Sequence, residues 1–245
     1  MTPEESQALA HGTAAALATA KGYADIILKP PLEQVGGILS DTIGLWRLKN
    51  QVNVMLKAKK FLEDKGVKKP TKLQPDIFVP LLEQASYTED ETLSDMFARL
   101  LAANADAERS NEVHPSFAKV LGQMSAFDAK VLLRMDEIDE RFRADAEMKR
   151  QLEHSPKTIL EVVVRMTQAR KEDWDQWLRL VNLAIANIDR LGLSAKDGKE
   201  YYKVGERGGQ LIGDRWTITH YGSLFLIACH DADYWRRDKA TATDA

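Results

Sequence analysis

The sequence predicts a mainly α-helical protein with one small β-hairpin near its C-terminal end, and three observations lead there. Apolar residues recur at steps of three and four through most of the chain, the spacing that lines one side of a helix. Capping and helix-breaking residues (Ser, Thr, Asp, Gly and Pro) punctuate those stretches. Only Tyr201–Val204 and Arg215–Thr219 read as strands, and the glycine-rich stretch Gly205–Asp214 separates them as a turn. With 245 residues, 44% hydrophobic and 29% charged, the chain can bury a core and is long enough for two modest domains.

Glu4–Tyr23 is an alanine-rich helix, strong in propensity but poor in burial area. Pro30 and Pro31 divide the apolar segment Ile26–Leu39, which is apolar enough to lie on a membrane surface, although core packing is the commoner fate of such residues. The longest helical signal is Ser40–Gly66. Its seam is Leu45, Leu48, Val52, Met55 and Leu62, with Lys59 in the missed place; Arg47, Asn50, Asn53, Lys57 and Lys60 fall away from it, Ser40 or Asp41 caps its start, and Gly66 closes it. A helical hairpin follows: Ile77–Ser86 with Pro80 in its first turn, then Glu91–Ala105 behind the cap Thr88-Glu89-Asp90. His114-Pro115-Ser116-Phe117 restarts the chain into a short helix, with the histidine ring expected to bond a backbone group.

Beyond Ser125 the grammar changes. Ala129–Asp139 is a helix capped at Ser125, a charged connector spans Asp136–Lys157, and Lys157–Gln168 and Trp174–Leu191 are further helices. The hairpin and a closing helix from Tyr221 complete the order helices, hairpin, helix, which is that of a winged helix. The expected organisation is therefore an N-terminal helical domain (1–120), a winged-helix-like domain (121–235) and a flexible tail (236–245).

Charge is blocked along the chain. Gly44–Lys72 holds nine basic residues against two acidic ones, and Leu73–Val113 reverses those numbers. Neighbouring helix faces that attract one another explain this pattern without any ligand. The sharper reading is a basic face for an anionic partner, with Arg47, Lys49, Lys57 and Lys60 as its residues. A winged helix lays a helix in the major groove and its hairpin on phosphate. Here Trp174–Leu191 offers Arg179 and Arg190 against Asp175 and Asp189, a formal charge of zero. The wing, with Lys203, Arg207 and Arg215 as candidate contacts, carries a surplus of one positive charge, so a protein partner is favoured over nucleic acid.

Several stretches resemble the abortive infection alpha family of bacterial proteins associated with phage resistance. They are Gly44–Gln51, Val79–Ser86, Leu100–Asn104, Val113–Phe117, Ser125–Leu133, Leu191–Leu193 and Ile218–Gly222. The resemblance implies a role in anti-phage defence and supplies no catalytic residues; the longer connector Asp136–Lys157 is where this chain departs from it.

Other chemistry finds little footing. The histidines are scattered, and His220, Cys229, His230, Asp231 and Asp233 do not share one face of a continuous helix, so no metal is expected. The glycines of the wing lie between strands and not before a helix, which is wrong for a phosphate loop. No catalytic residue and no cofactor is therefore expected. The single cysteine fits a reducing cytoplasm, no secretory signal or spanning segment is read, and a peripheral position on the inner membrane is the alternative location. The function expected is a non-enzymatic defence protein acting through protein contacts or self-association, with an anionic membrane surface as a further partner; the alternative is a winged-helix DNA-binding regulator.

Overall fold

The structure, a computed structural model, describes residues 42–71, 73–144, 174–204 and 209–230, with side chains over 43–71, 73–136, 179–196 and 217–230. The expectations for Glu4–Tyr23, Ile26–Leu39, the cap at Ser40 or Asp41, Lys157–Gln168 and the tail 236–245 lie outside the described residues. Among the described residues the fold is mainly helical with one two-stranded antiparallel hairpin. The chain divides into two compact units, one of 1–123 with 225–245 and one of 124–224.

In the first unit, α1 (Thr42–Asp64) packs along α3 (Glu91–Ala105), and α2 (Pro75–Ala85) meets both. Leu45, Leu48, Val52 and Leu62 are buried as the spacing predicts, but Met55 is only half-buried. Val54, Ala58 and Asn50 are buried as well, so the covered arc is wider than the seam. The reason is that α1 serves two neighbours. Asn50 Nδ2 donates to Ser86 O at 3.0 Å and Gln51 Nε2 to Leu82 O at 3.2 Å, so both reach backbone carbonyls at the C-terminal end of α2. Gly66, at φ +72°, ends α1 with its N–H on Glu63 O and that of Val67 on Leu62 O, the paired bonds of a left-handed C-terminal cap.

The second helix starts at Pro75, two residues before the predicted start, which moves Pro80 from the first turn into the interior. The carbonyl that loses its donor there is that of Asp76, on an exposed turn, so water can serve it. The third helix has the predicted bounds, with Asp90 Oδ1 accepting from Leu93 N at 3.1 Å. His114 Nδ1 accepts from Ser116 N at 3.2 Å and opens α4 (Ser116–Gly122), whose Phe117 meets Phe225 edge-on at 5.5 Å.

In the second unit, α5 (Ala126–Ala144) runs five residues past its predicted end at Asp139, into the stretch read as a connector, because Glu and Arg are good helix formers and nothing there breaks the helix. Ser125 and Asp128 cap it reciprocally: Ser125 N donates to Asp128 Oδ2 at 2.7 Å and Asp128 N to Ser125 Oγ at 3.1 Å. It packs on α6 (Trp174–Arg190) and on β2 (Gly209–Ile218), while α6 touches β1 (Ser194–Val204). The strands are two to three times their predicted length: Ser194 pairs with Ile218 and Val204 with Gly209, with a bulge between Lys196 and Gly198. Residues 209–214, read as turn, are strand, since ladder bonds with a partner outweigh weak local propensity.

The last helix, α7 (His220–Cys229), begins at a close corner. Thr219 Oγ1 donates to Gly192 O at 2.6 Å and accepts from Gly222 N at 2.9 Å, while Thr219 N donates to Leu193 O. A Cβ on Gly222 would lie 2.1 Å from that same carbonyl oxygen, so glycine is required there. Gly192, at φ +75°, supplies the turn out of α6 that makes the corner.

Candidate functional site

The four residues of the predicted anionic-partner face do not share one environment. Lys57, with its side chain 19% exposed, lies between Glu91 and Asp95 at 2.7 Å each, so it joins α1 to α3. Burial opposes its charge, yet the hydrogen bonds to Asp95 and Glu91 together hold its pKa above the ordinary lysine value. Arg47 donates through Nε to Ser86 Oγ at 3.1 Å and stacks over the Tyr87 ring at 4.6 Å. Trp46 donates to Glu89 on the same side. Lys49 and Lys60 are exposed. Half of the basic face is therefore spent on the acidic hairpin that follows it in sequence. Of the wing residues, Arg207 lies outside the described residues, and so do the side chains of Lys203 and Arg215; the backbone pairs Lys203 with Gln210 and Gly198 with Arg215.

The outward face of α6 carries a feature that the charge sum concealed. Val181, Ala184, Ile185 and Ile188 are buried, which turns Arg179, Leu180, Leu183, Ala186 and Arg190 outward. Leu183 is 69% exposed and Leu180 39%. Asn187 ties this face to the start of α5: its Nδ2 donates to Asp128 Oδ2 at 2.9 Å, and its Oδ1 accepts from Arg190 Nε and Nη2 at 3.0 and 2.8 Å. The face is thus apolar at its centre and held in orientation at one end. The signal was available in the sequence, since Leu180 and Leu183 lie off the stripe formed by Val181, Ala184, Ile185 and Ile188.

A family model described as abortive infection alpha matches residues 49–229. The chain belongs to this family. No curated protein and no solved structure matches the chain. The abortive infection alpha match spans both units and ends with α7. Several of the stretches that carry the resemblance meet in the fold. Asn50 and Gln51 of one reach Leu82 and Ser86 of another, and Leu191–Leu193 adjoins Ile218–Gly222 at the Thr219 corner. These shared features are packing and capping devices of an abortive infection alpha protein. Asn104 is different: it is 1% exposed and neither amide atom has a partner among the described residues, a cost of about 1–3 kcal/mol per unsatisfied group that packing alone does not explain.

Proposed function

We propose that the protein is a non-enzymatic component of abortive infection that acts through protein contacts, with the outward face of α6 as its contact surface. The observation that carries this reading is the pair of exposed leucines, Leu180 and Leu183, on a helix whose inner stripe is fully covered. Apolar side chains flanked by arginines suit a protein surface, where aromatic and arginine-rich centres supply most of the binding energy. Family membership supplies the biological context, defence by sacrifice of the infected cell. The test is bacterial culture carrying the gene and challenged with a panel of phages. At low phage-to-cell ratio the culture should survive, and at high ratio it should collapse without a burst; equal phage yield with and without the gene for every phage contradicts the reading.

A second reading, a winged-helix regulator that binds DNA, draws on Arg179 and Arg190, both exposed on the same face. Its test is duplex binding at low salt: Arg207→Glu with Arg215→Glu must weaken binding and reduce its salt slope, and no binding at low salt removes it. The exposed Lys49 and Lys60 support a peripheral membrane contact, although no described helix is long and apolar enough to cross a bilayer. Flotation with anionic vesicles checks that contact, and protein that stays at the bottom of the gradient excludes it.

A further inference from the structure

The helices α2 and α6 each turn an apolar row outward, and the charges that flank the two rows are opposite in sign. On α2 the inward stripe is Ile77, Leu81 and Ala85, all buried, while Val79 on the outward side is 58% exposed. Asp76 and Glu83, three residues before Val79 and four after it, stand on the same side and are exposed. Neither carboxylate has an ion-pair partner among the described residues. Phe78, Pro80 and Leu82 are half-buried nearby, so the apolar area extends past Val79 itself.

On α6 the row is Arg179, Leu183, Ala186 and Arg190, at steps of four, three and four, all exposed, with Leu180 at its edge. Asp189 is exposed too, but one residue along a helix is a rotation of about 100°, which carries it to the side of Arg190. Arg190 is held by Asn187 Oδ1 through Nε and Nη2, and this fixes where its charge is presented.

We propose, on the reading of α6 as the contact surface, that its partner is α2 of a second copy of this chain. Leu183 and Leu180 meet Val79 and its half-buried neighbours, and the arginines face Asp76 and Glu83. Carboxylates lie at both ends of Val79 and arginines at both ends of Leu183, so the charges match whichever way the two helices run. Pairings of like faces do not match. Two copies of α6 would oppose arginine to arginine, and two copies of α2 carboxylate to carboxylate, a cost that selects the mixed pair. The three turns of α2 offer less area than a permanent interface, so the association is weak and depends on concentration. Every copy carries both faces, so association closes into a pair or ring or continues as a chain.

The test is the mass of the full chain in solution by light scattering, from low micromolar to sub-millimolar concentration. The parent chain should rise above the 27.5 kDa of one copy as concentration increases. Asp76→Lys with Glu83→Lys makes both rows basic, and Arg179→Glu with Arg190→Glu makes both acidic; each variant alone should weaken association about tenfold or more. An equimolar mixture of the two should restore it, because the basic α2 of one meets the acidic α6 of the other. Loss of folding is not repaired by mixing, so the restored mass separates a broken contact from a broken fold. Val79→Ser and Leu183→Ser, which keep all four charges, should each weaken association as well. A parent chain at the mass of one copy throughout, association unchanged in these variants, or a mixture of folded variants that stays monomeric overturns the proposal. A monomeric parent whose phage protection is still lost in Leu180→Ser with Leu183→Ser leaves α6 as the contact surface for a different protein, so the two readings fail separately.

Discussion

The α1–α3 pair and α6 handle charge in opposite ways. In the first, a strongly basic stretch turns Lys57 and Arg47 onto the acidic or polar residues of the next two helices, and much of the apparent binding face becomes internal structure. In the second, a helix of zero formal charge exposes Arg179, Arg190 and two leucines on its outward side, with Asp189 exposed beside Arg190. The lesson is that a segment's summed charge says little until its faces are separated. A basic block followed directly by an acidic block of equal size points to complementarity within the chain.

The comparison can be broken at several points, beginning with the largest effect. Phe97→Ala empties a fully covered site on α3 and should cost about 4 kcal/mol by denaturant unfolding, the usual range for a core phenylalanine; a cost under 1 kcal/mol means that α3 is not the centre of its unit. Gly222→Ala places a methyl against Leu193 O and should cost about 3 kcal/mol, read in the same way. Lys57→Glu should cost about 2 kcal/mol, because it removes two partly exposed ion pairs and sets three carboxylates together, and Asp95→Lys in the same chain should recover part of that loss.

Because the folded Lys57 has a raised pKa, its contribution is fully present below the ordinary value of 10.5 and is lost as pH rises through the folded value. Stability from this group should be flat from neutral pH to about pH 9 and fall beyond pH 10.5, with a smaller fall in Lys57→Met. The smallest effect belongs to α6. Leu183→Ser should change stability by less than about 0.5 kcal/mol, as an outward side chain with no partner to lose. A larger cost in thermal melting would show that Leu183 is covered within the chain.

The parts of the fold that local chemistry decides were legible in the sequence. Asp90, Ser125 and Gly66 act as the caps their residue types announce, and the bounds of α3 follow from them. What depended on partners was not. Val54, Ala58 and Asn50 are buried because α1 packs along α3 and also meets α2, and one stripe of a helical wheel describes only one neighbour. The hairpin continues through 209–214 because the opposite strand supplies its hydrogen bonds, which no short window contains. The candidate site was half visible: Lys49 and Lys60 are exposed as expected, whereas the role of Lys57 depends on where α3 lies. The family itself was legible in short apolar motifs, since packing and capping residues are what those motifs encode.

The central claim is that the outward leucines of α6 serve function and not stability. Phage plating efficiency on cells expressing Leu180→Ser with Leu183→Ser tests it most directly, with expression level and melting temperature matched to the parent chain. Protection lost to the level of cells without the gene is the expected result; full protection by this variant contradicts the account.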